Sequence, residues 1–173
     1  MQFKDIKEIQ TKRFVLRVLN TNDVDITYAI RSNKIVRQYI ANPLFTKQEE
    51  AEKHMQKVIN SLVKNESIGW VVYDKKETVK LGEICLWNFS EDKKTAEVGY
   101  NLLPEYFRKG IMTEALKAVL DFGFNELQLN TIEAYTSKRN HGSIALLEKY
   151  NFKLQKDRFD KDNPDNNIYS LST

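Results

Sequence analysis

The most constraining feature of this chain is a short basic turn that leads directly into a long amphipathic helix. Residues 96–103 have the pattern of a strand, which Pro104 ends because proline cannot extend a sheet. Apolar residues at helical spacing then predict a helix from about residue 111 to 125. The first turn of such a helix has backbone N–H groups without partners, and the helix dipole favours an anion beside them. The apolar positions are Met112, Ala115, Leu116, Val119 and Phe122.

The turn at residues 107–113 has the chemistry of a phosphate site. Arg108 and Lys109 supply positive charge, and Gly110 permits a positive φ and close approach of a ligand to the backbone. The turn lacks the glycines of a Walker loop or a dinucleotide fingerprint. On its own it therefore favours a phosphate or pyrophosphate site about as strongly as a solvated surface turn.

A second motif lies thirty residues beyond Gly110, at residues 140–152, and follows a strand-like apolar run at 131–135. In order, spacing and flanking elements, the two motifs resemble the GNAT superfamily of acyl-CoA-dependent N-acetyltransferases. Residues 11–17, Asp23 and the strand at 97–100 are similar to the branch that acetylates the N-termini of ribosomal proteins. The resemblance covers about residues 8–172.

The resemblance implies one α/β (α+β) domain over residues 1–173, and no linker-like segment divides the chain. The implied fold is a twisted, mixed and mostly antiparallel sheet of about seven strands with about four flanking helices. A splay is expected between the fourth and fifth strands. Periodicity and a capping box at residues 46–49 predict the same order of elements. Strands are predicted at 13–19, 68–74, 81–89, 95–102, 131–135, 152–159 and 167–171, and helices at 23–32, 46–65, 111–125 and 142–150.

By resemblance, acetyl-CoA is the co-substrate, and backbone amides of the turn hold its pyrophosphate. Asn140 is expected to hold the pantetheine amides. Strand 98–102 is expected to pair with the same arm as an added β-strand would, with one N–H polarising the thioester carbonyl. The expected binding residues are Tyr100, Asn101, Leu102, Phe107, Arg108, Lys109, Gly110, Ile111, Met112, Thr113, Asn140 and Ser143.

Several positions depart from the family pattern. Phe107, Arg108 and Met112 replace a Gln or Arg, a glycine and a small residue, respectively. Asn151 replaces a glycine, which is tolerable because asparagine readily adopts a positive φ. Leu147 stands where many members carry the tyrosine that protonates the departing thiolate. That role must therefore pass to another group or to water.

Acetylation of an amine requires a base for the proton and a group that stabilises the leaving thiolate. Glu97 is the first candidate for the base, because by resemblance it lies near the end of the splayed strand. Glu83 is the reserve, followed by His141 and water. An exposed charge on the sheet is the alternative role for Glu97. Ser143 is the candidate for stabilising the thiolate, with helix capping as its alternative role.

Composition excludes other classes of function. Cys85 lies within an apolar strand, which is typical of a structural cysteine rather than a nucleophile. His54 and His141 are far apart, and no Cys/His pair has ligand spacing, so no metal site is predicted. The net charge of +3 is dispersed, and no apolar run is long enough to span a membrane. We expect a cytoplasmic monomer or homodimer without nucleic-acid or membrane partners.

The expected function is acetyl transfer from acetyl-CoA to a primary amine, such as a protein N-terminus, by direct attack in a ternary complex. The alternatives are a polyamine or aminoglycoside acetyltransferase and a non-catalytic acyl-CoA-binding sensor. The acceptor pocket is expected around Tyr28, Arg31, Tyr39 and Ile40 together with the loop 157–167. Four aspartates in that loop favour a cationic acceptor, and a solvated turn is the alternative.

Overall fold

The computed structural model describes residues 2–76 and 78–173. Within these ranges, eight strands form one sheet in the order β1-β2-β3-β4-β5-β6-β8-β7, and five helices pack on it. Neighbouring strands are antiparallel except β5 and β6, which are parallel, so the predicted mixed α/β fold is confirmed. The strands are β1 Ile9–Gln10, β2 Phe14–Val18, β3 Ile68–Asp74, β4 Lys80–Trp87, β5 Thr95–Leu102, β6 Thr131–Ser137, β7 Lys153–Leu154 and β8 Asn166–Ser172; the helices are α1 Val24–Ser32, α2 Lys34–Arg37, α3 Gln48–Val63, α4 Ile111–Asn125 and α5 His141–Lys149.

Two hydrophobic cores lie on opposite faces of the sheet, and successive residues of β3 alternate between them. Val71 packs with residues of α1 and α3. Trp70 and Val72 pack on the other face with α4 and α5, where Phe122 meets the Trp70 ring edge-on at 5.5 Å between centroids. Because the helices cover both faces, a ligand reaches the middle of the sheet only where two strands part.

Strands β5 and β6 part after three residues. They pair only over Thr95–Glu97 and Thr131–Glu133. Beyond that point β5 stays bonded to β4 as far as Leu102, while β6 stays bonded to β8 as far as Ser137. Within the described residues, the facing edges of β5 and β6 therefore carry backbone groups without strand partners, and these groups are available to a ligand. This is the predicted splay.

The structure differs from the predicted elements in four places. The strand predicted at 152–159 is limited to Lys153–Leu154, because the chain turns at residues 155–158, where the Arg158 N–H donates to the Gln155 carbonyl at 3.2 Å. Glu50, rather than Glu49, caps α3 by accepting from the N–H groups of Thr46 at 2.7 Å and Lys47 at 3.0 Å. Strand β1 and the short helix α2 were not predicted.

Backbone and helix predictions can also be checked at single positions. The helix predicted at 111–125 is confirmed with the same bounds. Asn151 has φ +63°, the left-handed conformation expected where the family has glycine. None of the helices formed by the described residues has the length and apolar character that a membrane crossing requires.

Candidate active site

A cavity of about 500 Å³ lies where β5 and β6 part. Its walls are the edge of β5, the turn before α4, the first turns of α4 and α5, and the segment that follows α2. Eleven of the twelve residues predicted to bind acetyl-CoA line it; the exception, Lys109, has its ammonium 5.4 Å from the centre of the Tyr106 ring. The other lining residues are Val36, Tyr39, Ile40, Gly142 and Leu146.

The turn before α4 has the backbone conformation of an anion-binding loop. Gly110 has φ +71° and directly precedes α4, and Arg108 has φ +59°. No side chain caps the start of α4. The N–H groups of Ile111, Met112 and Thr113 thus have no intrahelical acceptors, and all three residues line the cavity. Unpaired amides and the positive end of the helix dipole favour a negatively charged ligand here.

Arg13, which precedes β2, holds this turn from behind. Its guanidinium donates to the carbonyl oxygens of Lys109 and Gly110, each at 3.1 Å, and to the Glu114 carboxylate at 2.7 Å. Glu114 also accepts from the Thr11 hydroxyl at 2.7 Å. Since the peptide units are trans, carbonyls that face Arg13 turn the next N–H groups away from it. No local pattern predicts this contact, because it joins residues almost a hundred positions apart.

Tyr100 and Ser143 form a hydroxyl pair in the cavity wall, with their oxygens 2.8 Å apart. Asn140 Oδ1 accepts from the Ser143 N–H at 3.1 Å, so Asn140 supplies the helix cap and the serine hydroxyl serves another partner. Burial raises the pKa of Tyr100 to about 12, and the hydrogen bond with Ser143 opposes that shift. Sequence analysis included Tyr100 only as part of the β5 edge; its hydroxyl was missed.

Leu147 is fully buried in the core beneath α5 and offers no proton donor. The nearby Tyr150 does not replace the missing tyrosine, because its hydroxyl donates to the Thr113 carbonyl at 2.6 Å. That bond ties α5 to the first turn of α4. The Tyr100–Ser143 pair is therefore the hydroxyl pair that the cavity wall offers to a ligand.

Glu97 lies at the closed end of the splay, on the last rung that β5 shares with β6, beside Glu133. Its side chain is 9% exposed, and Asn88 donates to its carboxylate. Burial raises the pKa of Glu97; the Asn88 hydrogen bond opposes this shift and the charge of Glu133 adds to it. The Arg158 guanidinium binds Glu133. Glu97 lies outside the cavity lining, so it reaches a ligand there only through water.

The other candidate bases occupy different places. Glu83 accepts from the Thr27 hydroxyl and lies opposite Asn101 of the cavity wall. Burial raises the pKa of Glu83, while Thr27 and the charge of Arg31 oppose the shift. His141 is exposed at the start of α5. Burial raises the pKa of Cys85 to about 12, which keeps its thiol protonated and unreactive.

The expected acceptor pocket is only partly assembled. Tyr39 and Ile40 line the cavity, whereas the Tyr28 hydroxyl donates to the Thr46 carbonyl at 3.3 Å. Two of the four loop aspartates already have partners in the protein: Asp160 accepts from the N–H groups of residues 162 and 163, and Asp165 pairs with Arg139, outside the loop, at 3.1 Å. These contacts favour the solvated-turn interpretation of the loop. No group of side chains suited to hold a metal occurs in the described residues.

Residues 13–153 match the family model described as the acetyltransferase (GNAT) domain. The chain belongs to the GNAT family of acetyltransferases. It is 30% identical over 151 residues to p20 of Bacillus licheniformis, an uncharacterized N-acetyltransferase, with 87% of this chain and 84% of p20 covered. The chain is thus an N-acetyltransferase, as the two motifs predict.

Two further relatives differ in their acceptors. Spermidine N(1)-acetyltransferase of Escherichia coli K12 is 25% identical, with 81% of this chain and 73% of that enzyme covered. The structure of RimL, a ribosomal L7/L12 alpha-N-protein acetyltransferase in complex with coenzyme A, has a TM-score of 0.82 at 20% identity and covers 95% of this chain and 97% of RimL. At 20% identity the likeness to RimL shows a shared fold. It does not show that this chain acetylates the same acceptor.

The positive φ of Arg108 generates a stability prediction. Replacing Arg108 by glycine removes the clash of Cβ in the left-handed region, and we expect the free energy of unfolding to rise by about 0.5–1 kcal/mol. Chemical denaturation measures this change. Arg108→Ala is the matched control, since it removes the charge and keeps the Cβ. Equal stabilisation by alanine and glycine would assign the effect to charge rather than to backbone strain.

Proposed function

We propose that this GNAT enzyme transfers the acetyl group of acetyl-CoA to a primary amine, such as a protein N-terminus, by direct attack in a ternary complex. The observation that carries the proposal is the position of the cavity. It lies at the parting of β5 and β6, and the first turns of α4 and α5 open into it. A long ligand with an anionic end and an amide-containing arm fits both features.

The residues present fit acetyl-CoA along its length. The amides at the start of α4 and the side chain of Arg108 suit the pyrophosphate. The unpaired edge of β5 suits the two pantetheine amides, which pair with it as an added strand does. In this proposal an N–H on the same edge polarises the thioester carbonyl. Asn140, whose Oδ1 caps α5, faces the same cavity.

In this proposal Glu97 takes the proton of the attacking amine through water. A neutral amine is required, because an ammonium group has no lone pair for the attack. Burial raises the pKa of Glu97, which makes its carboxylate a stronger base than an exposed glutamate. Asn88 fixes one carboxylate oxygen and leaves the other for water.

The Tyr100–Ser143 pair stabilises the departing thiolate by hydrogen bonding. An ordinary thiol has a pKa near 8.5, whereas that of Tyr100 is about 12. Complete transfer of the tyrosine proton to the thiolate is thus not expected. The pair therefore acts as a hydrogen-bond donor to the developing charge, and solvent supplies the proton that the thiol finally carries.

The proposal is tested by mixing the purified protein with acetyl-CoA and a panel of amines. We expect free thiol to appear only when an amine is present, and the amine to gain the mass of an acetyl group. Leu147, buried and without a donor, favours the competing function of a non-catalytic acyl-CoA-binding protein. Coenzyme binding without thiol release for any amine would support that competitor.

The first binding prediction concerns Gly110. Gly110→Val should weaken acetyl-CoA binding by about 1–3 kcal/mol, because a β-branched residue resists φ +71° and its Cβ would press on the Arg13 guanidinium, 3.3 Å away, which holds the turn. Isothermal titration calorimetry measures this affinity. Gly110→Ala is the matched comparison, since it adds a Cβ at the same φ without the second branch and should weaken binding less. Unchanged affinity in a folded Gly110→Val protein would remove the pyrophosphate from this turn.

The second prediction concerns the base. Glu97→Gln should lower turnover by roughly 10²-fold with little change in coenzyme affinity, the range expected when a general base is lost. In the wild type, activity should fall as the pH drops through the raised pKa of Glu97, because the protonated carboxyl cannot accept a proton. The variant should lack that acidic limb. If Glu83→Gln removes the limb instead, Glu83 is the base.

The third prediction concerns the hydroxyl pair. Ser143→Ala and Tyr100→Phe should each lower kcat by about tenfold or more and change the affinity for acetyl-CoA much less, since thiolate charge develops only in the transition state. Because the two hydroxyls act together, the double variant should lose far less than the product of the single losses. Additive losses, or losses that follow coenzyme affinity, would contradict a shared catalytic role.

A further inference from the structure

Arg37, at the end of α2, is an unusual residue to find buried. Its side chain is 7% exposed, and its Nε has no hydrogen-bond partner among the described residues. Burial and the neighbouring charge of Arg31 lower its pKa to about 10, which still leaves the guanidinium charged at neutral pH. A buried charge without a close partner destabilises a fold. A ligand that supplies the missing partner would explain its retention.

Arg31 provides a second guanidinium in the same region. It stands over the Phe45 ring at 5.4 Å, and within the described residues no carboxylate lies within ion-pair distance of it. Desolvation by burial lowers the pKa of Arg31, and Glu83 is the first opposing charge. Both arginines thus rely on the electrostatic influence of one glutamate, which itself accepts from Thr27.

This group of charges borders the acceptor end of the cavity. Val36, Tyr39 and Ile40, which flank Arg37 along the chain, line the cavity. Glu83 lies opposite Asn101 of β5, which lines the same cavity. Neither arginine is itself a lining residue. Arg37 adjoins the lining residues along the chain, and Arg31 is close enough to be influenced by Glu83, whose strand neighbour Asn101 lines the cavity.

The region carries a net positive charge. Two guanidinium groups lie within the electrostatic influence of Glu83, and burial disfavours the charged form of that carboxylate. The other nearby carboxylate, Asp23, is neutralised by Lys80 at 3.0 Å. His54, whose ring meets the Phe45 ring edge-on with 6.1 Å between the centroids, adds no further positive charge. Burial and the charges of Arg31, Lys57 and Arg37 lower the pKa of His54 to about 4, so it is neutral at pH 7.

We propose that Arg31 and Arg37 form an anion subsite of the acceptor site and that the acetylated amine carries a carboxylate close to its amino group. The inference rests on the proposed acetyl transfer. The planar fork of arginine matches the two oxygens of a carboxylate, and the pairing supplies the partner that Arg37 lacks. A cationic acceptor such as spermidine is repelled by the same two charges.

Two sources of this chemistry are distinguished by matched acceptors. L-alanine and L-alaninamide differ in an α-carboxylate, whereas the amidated peptides Ser-Asp-Ala-Ala and Ser-Asn-Ala-Ala differ in a side-chain carboxylate. Spermidine serves as the cationic acceptor. We expect kcat/KM to be at least about tenfold higher for the acidic member of one pair, the size of a charged hydrogen-bonded contact, and spermidine to be the poorest acceptor.

The variants Arg37→Met and Arg31→Met assign the preference. Each variant should bring the ratio of kcat/KM for the acidic and neutral acceptors close to one. It should do so by raising KM for the acidic acceptor, with KM for acetyl-CoA unchanged. Lys34→Met is the matched control, because it removes an exposed positive charge from the same short helix. Arg37→Met should keep or raise the melting temperature, since methionine replaces an unpartnered buried charge with apolar volume. A structural arginine would instead lower that temperature.

Equal turnover of both members of both pairs, or a preference that survives in both arginine variants, would overturn the anion subsite and leave acetyl transfer intact. If no amine releases thiol, the proposed function fails, and binding then decides the inference. L-alanine or the Ser-Asp-Ala-Ala amide, each added with coenzyme A, should raise the melting temperature of the wild type and not that of Arg37→Met. The same rise in both proteins would contradict the subsite.

Discussion

The parting of β5 from β6 after a single short stretch of parallel pairing determines where every other part of the active site lies. Each strand keeps its hydrogen bonds to its outer neighbour, β4 or β8, so the sheet remains continuous below Glu97 and Glu133. Above that rung, two facing edges have backbone groups that need partners. The fold thus creates binding capacity from the backbone itself, before any side chain contributes.

The turn before α4 and the first turn of that helix add positive charge beside the opening between β5 and β6. Arg13 fixes the turn before α4 through two carbonyl groups, and the start of α4 has no side-chain cap. The left-handed conformations at Arg108 and Gly110 bring the chain sharply from β5 into the helix. Strain, unpaired amides and positive charge therefore coincide at one turn, which is the arrangement that an anionic ligand stabilises.

Local patterns in the sequence predicted most of the elements, whereas the sheet, its splay and the coenzyme end of the site followed from the resemblance to the GNAT family. The apolar spacing from Met112 to Phe122 predicted α4, and the motif around Asn140 and Ser143 placed α5 beside the same cavity. The capping box was misplaced by one residue, because Glu49 and Glu50 are equally good local candidates and only the backbone geometry selects Glu50. Patterns of this kind report on neighbours within one or two helical turns.

Contacts between distant segments were outside the reach of those patterns. The hydroxyl pair joins Tyr100 to Ser143, and the guanidinium of Arg13, just before β2, donates to the carbonyl of Gly110. Leu147 was a usable signal for the hydroxyl pair, because the absence of a proton donor at that position implies that another residue supplies one. Nothing in the local sequence, however, selects Tyr100 for that role. The burial of Arg37 likewise depends on how α2 packs against α1. Sequence alone suggested an acidic acceptor loop, whereas the assembled charges at the cavity are basic.

Amide hydrogen exchange with and without coenzyme A tests the central claim most directly, because the opened sheet is proposed to bind the coenzyme through its backbone. The account predicts that coenzyme A slows exchange in three segments, residues 98–102, 107–113 and 140–144, and leaves the far strands β1 to β3 unchanged. Protection confined to other segments, or none at saturating coenzyme A, would contradict the placement of the ligand between β5 and β6.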